Sequence, residues 1–232
     1  RALFESEGYQ RLKKREAGMG RVITDEEFLD FVMSDELLEN AYDLLDTLDQ
    51  WKSADLSESA RRAKAYLPDR ANISATVYPV IKPMSNSFVF DLDTDPAIFL
   101  YLDPIMTSPR FINTLAHELH HVGYASIERV WQECSEWNAL SEAHRNAIEW
   151  LTALGEGLAM LAAAGGPEGH PHAESPAEDR QRWDADLANF DHDLARLNAF
   201  LSDVLRGELR GEAAIKAGFE FFGVQGPWYT VG

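Results

Sequence analysis

The sequence predicts an α+β fold in which helices dominate and a small antiparallel sheet packs beside one central helix. Two observations support this class. Apolar residues recur at three- and four-residue steps through residues 1–70 and again after residue 108, which indicates helices. Between these segments lie three short runs rich in β-branched and aromatic residues, which indicates strands. We expect residues 1–70 to form an N-terminal helical region and residues 71–232 to complete one compact unit with it.

The first helices and the strands follow from local patterns. Residues 1–70 carry an apolar stripe of the kind that usually belongs to a core scaffold: Phe28, Phe31, Val32, Leu37, Leu38, Tyr42, Leu45 and Leu48. The predicted strands are residues 75–81, 87–91 and 97–102, and turn residues separate them. Pro79 interrupts the first strand, which predicts an edge position or a bulge there.

Helices return after the strands. Ser108 is a suitable N-cap and Pro109 a suitable first residue for a helix that runs to about Ser126. A second helix is predicted over 141–164, ended by a Gly-Gly-Pro sequence. A loop with two histidines follows, then a long amphipathic helix through Trp183 to Leu201, and the glycine-containing last stretch looks irregular.

Charge and composition exclude several classes of function. The chain has 21 basic and 39 acidic residues, a formal net charge of −18, which disfavours nucleic acids and anionic membranes as partners. We expect no transmembrane segment, because no apolar run reaches about 18 residues. Cys134 is the single cysteine, so no internal disulfide can form. We expect this cysteine to be inert. The chain starts at Arg1 rather than Met, as after removal of a targeting segment, and the compartment stays open.

The strongest chemical signal is the segment His117-Glu118-Leu119-His120-His121, which contains an H-E-x-x-H motif. On a helix, His117 and His121 are one turn apart on one face, so both imidazoles can reach one zinc ion. Glu118 lies on the flank, where a general base can contact water rather than the metal. The opposite side of this helix carries an apolar stripe: Ile112, Leu115, Leu119 and Val122. The competing interpretation is a pair of solvated histidines on a surface helix.

A catalytic zinc ion needs a third protein ligand and one open position. No third histidine follows at the close spacing of metzincins. Glu156 is the better candidate, because it lies between two glycines, which suggests a close approach to the backbone by a metal site or by a packed helix. We expect Leu151, Leu154, Leu158 and Leu161 to form the buried stripe of its helix. Glu149 is the rival ligand, or a partner of a ligand histidine.

The sequence HELHH, followed about 34 residues later by EGLA, resembles the gluzincin metallopeptidases, of which thermolysin is the familiar member. It also resembles bacterial families described as zinc-dependent peptidases of unknown function. The resemblance covers roughly residues 97–166 and the C-terminal segment with Tyr229. It implies His117, His121 and Glu156 as zinc ligands and Glu118 as catalytic base, within a zincin-like catalytic region that we expect over residues 71–232. It further implies an edge strand before the motif helix, to which substrate adds as a further strand, and residues 97–102 are the natural candidate. The alternative for this apolar run is a core strand.

The resemblance leaves two positions open. Many gluzincins have an acidic residue four positions after the ligand glutamate, where this chain has Met160, so a ligand histidine would be oriented by another side chain such as Glu149 or Asn113. Gluzincins also supply a His or Tyr that stabilises the oxyanion, and Tyr229 is our choice. The rivals of Tyr229 for this role are His170, His172 and His192. His120 is expected at the helix surface or as a neighbour of the ligand residues. His144 has no evident role.

These observations favour a zinc-dependent hydrolase, most simply a metallopeptidase that acts on peptides or proteins. The alternative from a different class is a non-enzymatic binding module that retains a zincin fold. A hydrolase of non-peptide amides would use the same residues. The oligomeric state stays open.

Overall fold

The computed structural model describes residues 2–152, 154–222 and 227–231. In the N-terminal region it contains α1 (Glu7–Gly18), α2 (Asp25–Val32), α3 (Asp35–Glu39), α4 (Ala41–Ser53) and α5 (Ser57–Lys64). Local capping explains several of the boundaries. Thr24, for example, accepts a hydrogen bond from the backbone N–H of Glu27, and the Glu27 carboxylate accepts one from the backbone N–H of Thr24.

The sheet consists of β1 (Thr76–Val80), β2 (Phe88–Phe90) and β3 (Ala97–Tyr101) in the order β1-β3-β2. The α+β, mostly helical class is therefore confirmed. The sheet is mixed rather than wholly antiparallel, because β3 pairs antiparallel with β2 but parallel with β1. Pro79 lies in β1, an edge strand, as the sequence predicted.

The expectation that residues 97–102 form the edge strand is wrong. β3 is the central strand, and the side chains of Ala97, Ile98, Phe99 and Leu100 are between 0 and 1% exposed. A strand buried on both faces is a continuous apolar run rather than an alternating one, and this run is of that kind. The edge strands of this sheet are β1 and β2, and both precede the motif helix in the chain.

The remaining helices are α6 (Ser108–Gln132), α7 (Ser135–Ala139), α8 (Glu142–Thr152), α9 (Gly155–Ala164), α10 (Ala177–Ala188), α11 (Phe190–Arg206), α12 (Gly211–Phe222) and α13 (Trp228–Val231). The side chain of Thr107, not of Ser108, caps α6 by accepting from the backbone N–H of Arg110. Both long helices predicted after α6 are split in two, and α12 occupies part of the stretch predicted to be irregular.

The apolar stripe of α6 faces the main core, as predicted. Leu115, Leu119 and Val122 are buried there with Ile98 of β3 and Trp51 of α4. Gly123 permits the close approach of the segment after α5, since a Cβ at this position would overlap Leu67 and lie 2.9 Å from Ile73 Cγ2. The division into regions 1–70 and 71–232 stays a prediction, but both contribute to this one core.

One stretch, Glu142–Ala164, is long and apolar enough to cross a membrane by length and composition. Core helices of globular proteins meet the same criterion, and 41% of the most apolar window is buried inside the protein. Its second half, α9, packs against α5 and α6. The stretch is therefore weak evidence for a membrane span and does not establish one.

Candidate metal centre

The two histidines of the motif lie side by side on α6. Their Nε2 atoms are 3.0 Å apart, and their ring planes are nearly perpendicular at 81°. Their side chains are 17 and 18% exposed, so they line a cleft and are not spread on an open surface. The competing interpretation of two solvated surface histidines is therefore not supported.

Glu156 reaches the same point from α9. Its Oε2 lies 3.3 Å from Nε2 of His117 and 3.3 Å from Nε2 of His121. Burial opposes its ionisation, but contact with the two imidazoles outweighs burial and lowers the pKa of Glu156 to about 2. Because α9 begins at Gly155, the carboxylate also lies in the first turn, where the helix dipole favours negative charge.

The break between α8 and α9 changes the role expected for the two glycines. They lie in the first turn of α9 rather than in a helix interior, and a Cβ at Gly155 would make only ordinary contact with the Tyr124 ring, at 3.6 Å.

The predicted leucine stripe is also wrong, since Leu151 is 41% exposed. Small residues form most of the buried face of α9: Gly155, Gly157, Ala159, Met160, Ala162 and Ala163. This small-residue surface allows α9 to pack closely on α6.

The geometry of the three donor atoms fits a tetrahedral zinc ion. Zinc binds imidazole nitrogen and carboxylate oxygen at about 2.0–2.1 Å, which places two tetrahedral ligand atoms about 3.3 Å apart. The three observed separations are 3.0, 3.3 and 3.3 Å. Glu156 Oε2 is buried without a well-directed hydrogen bond, although both imidazoles are close. Two imidazoles, one carboxylate and an open side match the donor set of a catalytic zinc site.

Within the described ranges, His117, His121 and Glu156 are the side chains of metal-binding type that converge closely enough to share an ion. Glu149 is outside this group. Asn113 Oδ1 accepts a hydrogen bond from Arg62 Nη1 at 2.9 Å, and Met160 is a buried apolar wall of the cleft. Which side chain orients the two histidines stays a prediction.

Glu118 lies beside the cluster and is 6% exposed. Burial raises its pKa, and the nearby carboxylate of Glu156 adds to this effect, whereas His117 and His121 oppose it. The side chain lines two cavities that adjoin the cluster. It is therefore positioned next to the candidate metal site rather than within it.

Tyr229 reaches the same cleft from α13, which packs against α9. Burial raises the pKa of its phenol, and the carboxylates of Glu156 and Glu118 raise it further. The phenol therefore stays protonated across the physiological range and can donate an O–H hydrogen bond. The phenol therefore lies near both glutamates of the site, and its role as oxyanion donor stays a prediction.

Two cavities adjoin the cluster. One measures about 400 Å³ and the other about 430 Å³, and Ser87, His117, Glu118 and Tyr229 line both. Phe88 and Val89 of β2 also line the first cavity. The edge strand that borders the cleft is thus β2, not residues 97–102.

The other histidines fall into three groups. His120 is 0% exposed, so it is not a helix-surface residue; its Nε2 lies 3.4 Å from the carbonyl oxygen of Tyr66, and burial lowers its pKa to about 4. His172 lines the second cavity next to His117. The rest lie elsewhere: His170 Nε2 is 3.4 Å from Asp184, His144 pairs with Ser141, and His192 is exposed.

Sequence reasoning missed three residues of this neighbourhood. Ser87 and Glu128 line the cleft, and Arg62 ties α5 to both helices of the cluster by donating to Asn113 and to the carbonyl oxygen of Ala163. Glu128 could have been found, because it follows His121 by seven residues and so lies on the same face of α6. No local pattern points to Ser87 or Arg62.

A family model described as "Putative zinc dependent peptidase (DUF5700)" matches residues 1–232. The chain belongs to this family. Neither a curated protein nor a solved structure matches the chain. The family description agrees with the predicted class of zinc-dependent peptidase and with a peptide substrate, while the gluzincin mechanism and the role of each residue are proposals.

Proposed function

We propose that this DUF5700 member is a gluzincin-type peptidase in which His117, His121 and Glu156 hold zinc and Glu118 is the general base. The observation that carries the proposal is the convergence of three donor atoms at tetrahedral spacing beside a buried glutamate. The family description supports the same class of activity. A bound zinc ion would supply Lewis-acid polarisation of the scissile carbonyl and acidify the attacking water.

The remaining chemistry belongs to side chains of this chain. Glu118 takes a proton from the attacking water and delivers it to the leaving amine, for which its burial is suitable because a raised pKa brings a carboxylate closer to the operating pH. Tyr229 donates its O–H to the carbonyl oxygen as negative charge develops there. Met160 and the walls of the cleft exclude bulk water from one side of the cluster.

The proposed substrate is an extended peptide that lies along β2. An edge strand can accept backbone hydrogen bonds from a further strand, and alternate side chains of the bound peptide then point toward the cavity walls. Since two cavities share His117, Glu118 and Tyr229 in their linings, one would receive substrate residues before the scissile bond and the other the residues after it.

The test compares Glu118→Gln and His117→Ala with wild type in zinc content and in cleavage of a peptide library. Glu118→Gln should keep zinc and lose turnover by at least about 100-fold, because only the proton transfer is removed. His117→Ala should lose zinc as well as turnover. The matched control is Glu212→Gln, which removes an exposed carboxylate from the first turn of α12 and should change neither.

Two outcomes contradict the proposal. A zinc-loaded Glu118→Gln variant with wild-type turnover would refute the role of Glu118. A folded, zinc-loaded wild type that cleaves no peptide in the library would favour the binding-module alternative. Cleavage of non-peptide amides alone would favour a hydrolase of such amides.

A further inference from the structure

On one side of the proposed metal site, α9 rests against an aromatic ring of α6. Tyr124 follows His121 by three residues, and its ring lies 3.6 Å from the position that a Cβ would take at Gly155, the residue before Glu156. Because this is ordinary van der Waals contact, it limits how closely the start of α9 can approach α6. It does not limit how far the other end of α9 can move away.

On the other side of the site, a guanidinium joins the same two helices. Arg62 of α5 donates from Nη1 to Asn113 Oδ1 at 2.9 Å and to the carbonyl oxygen of Ala163 at 3.1 Å. Asn113 lies about one turn before His117 on α6, and Ala163 lies about two turns after Glu156 on α9. The helices therefore run in opposite directions here, and the three proposed ligands lie between the bridge made by Arg62 and the aromatic contact.

Arg62 also satisfies the C-terminal end of α9. The last carbonyl groups of a helix have no partner in a following turn and need donors from elsewhere. Two of them accept from the backbone N–H groups of Gly165 and Gly166, whereas that of Ala163 accepts from Arg62. Gly165 has a φ of 79°, and a Cβ there would lie 3.2 Å from Cζ of Arg62, so the guanidinium packs directly on the helix end. Positive charge at this end is favourable for the helix dipole.

A carboxylate on its own helix orients this guanidinium. Glu58 Oε1 accepts from Arg62 Nε at 2.7 Å, and the Arg62 side chain is 23% exposed. Because the guanidinium is a rigid planar fork, one side chain contacts groups on three helices: α5, α6 and α9. The neighbouring Arg61 forms two hydrogen bonds with the same carboxylate, but its side chain is 67% exposed. Arg61 therefore has the charge and the carboxylate partner of Arg62 in a solvated setting.

We propose that Arg62 is a positioning residue of the metal site, which keeps α6 and α9 at the spacing that zinc requires. The inference rests on the proposed function, because it concerns the affinity of that site. Metal–ligand distances tolerate only about 0.2 Å of variation, so Glu156 must stay close to both imidazoles. Without the bridge the helices would hold this spacing in a smaller fraction of molecules, and the apparent zinc affinity would fall by the same factor.

The test compares the zinc dissociation constants of wild type, Arg62→Met and the matched control Arg61→Met. The metal-free proteins are titrated with zinc in competition with a chelator, well below their unfolding temperatures. Arg62→Met keeps the aliphatic stem and removes the guanidinium, so the constant should rise about tenfold or more. Arg61→Met should change the constant by less than about twofold, since it removes an exposed ion pair.

A milder variant and the unfolding temperatures separate positioning from a merely structural role. Arg62→Lys keeps the charge and also serves if Arg62→Met does not fold. It should bind zinc less tightly than wild type, because an ammonium cannot contact all three groups as a planar fork. A lower Tm of the metal-free Arg62 variants with an unchanged zinc constant would show that the residue is merely structural, and it would overturn the inference.

These readouts do not depend on catalysis. Weaker zinc binding by the Arg62 variants supports the inference even if wild type cleaves no peptide, in which case only the proposed peptidase activity fails. Equal zinc constants in wild type and the Arg62 variants overturn the inference and leave the proposed function intact. A folded wild type without measurable zinc affinity would overturn both.

Discussion

The contact of α6 with the segment after α5 can be tested by a single methyl group. Gly123 is buried two residues after His121, and a Cβ there would overlap Leu67 Cδ1 and lie 2.9 Å from Ile73 Cγ2. Both neighbours are side chains that pack against the helix, so either they or α6 must move in Gly123→Ala. The variant therefore measures how tightly the proposed metal-binding helix is held.

Two opposing contributions set the expected size of the effect. Alanine gains about 0.5–1 kcal/mol over glycine inside a helix, because the unfolded glycine has more conformational freedom. An extra carbon in a packed site costs about 1–3 kcal/mol. We expect the packing cost to exceed the gain and the free energy of unfolding to fall by about 1–2 kcal/mol, which for a chain of this length lowers Tm by about 2–8 °C.

Thermal unfolding followed by circular dichroism measures this change, and Gly18→Ala is the matched control. Gly18 is the last residue of α1, and nothing lies within 4 Å of a Cβ built there. This control should be neutral or slightly stabilising, since only the helix gain remains. A Gly123→Ala protein with a Tm equal to or above that of wild type would show that the overlap is relieved at no cost and that α6 is not tightly held.

Two further predictions concern Tyr229 and Lys82. Tyr229→Phe should keep zinc and lower kcat by on the order of 100-fold, because one hydrogen-bond donor to the oxyanion is lost. An unchanged kcat would assign oxyanion stabilisation to another group such as His172. Burial lowers the pKa of Lys82 to about 8 from its ordinary value of 10.5. Between these values the unfolded chain binds more protons, so the unfolding free energy of wild type should rise with pH relative to that of Lys82→Met. Urea denaturation of both proteins at about pH 7 and about pH 10 tests this. The prediction is contradicted if the difference in unfolding free energy between wild type and Lys82→Met is the same at both pH values.

Features that depend on neighbours along the chain were predictable. The alternation of histidines and apolar residues on α6 follows from helical periodicity, which places His117 and His121 on one side and Leu115 and Leu119 on the other. Glu156 was found by its position between glycines and by family resemblance. The close packing inferred from the glycines agrees with the structure, since Gly155 and Gly157 lie on the buried face of α9, but they lie in its first turn rather than in a helix interior.

Features that depend on distant partners were not predictable. Whether β3 lies at the centre or the edge is decided by its pairing with Thr76–Val80 on one side and Phe88–Phe90 on the other. The four-residue apolar run in β3 indicated burial on both faces, but the resemblance favoured an edge. The start of α9 at Gly155 was hidden for a similar reason, since small residues rather than leucines form most of the face of α9 that packs on α6.

The hydrogen bonds of Arg62 have a consequence for how this protein can be shortened. One guanidinium on α5 joins Glu58, Asn113 and the carbonyl oxygen of Ala163, and so connects the first part of the chain to both helices that carry the histidines and Glu156. A truncated version that begins after α5 would lose this connection and uncover apolar side chains of α6. The smallest unit that keeps the cleft in shape therefore includes the N-terminal helices, and expression trials should retain them.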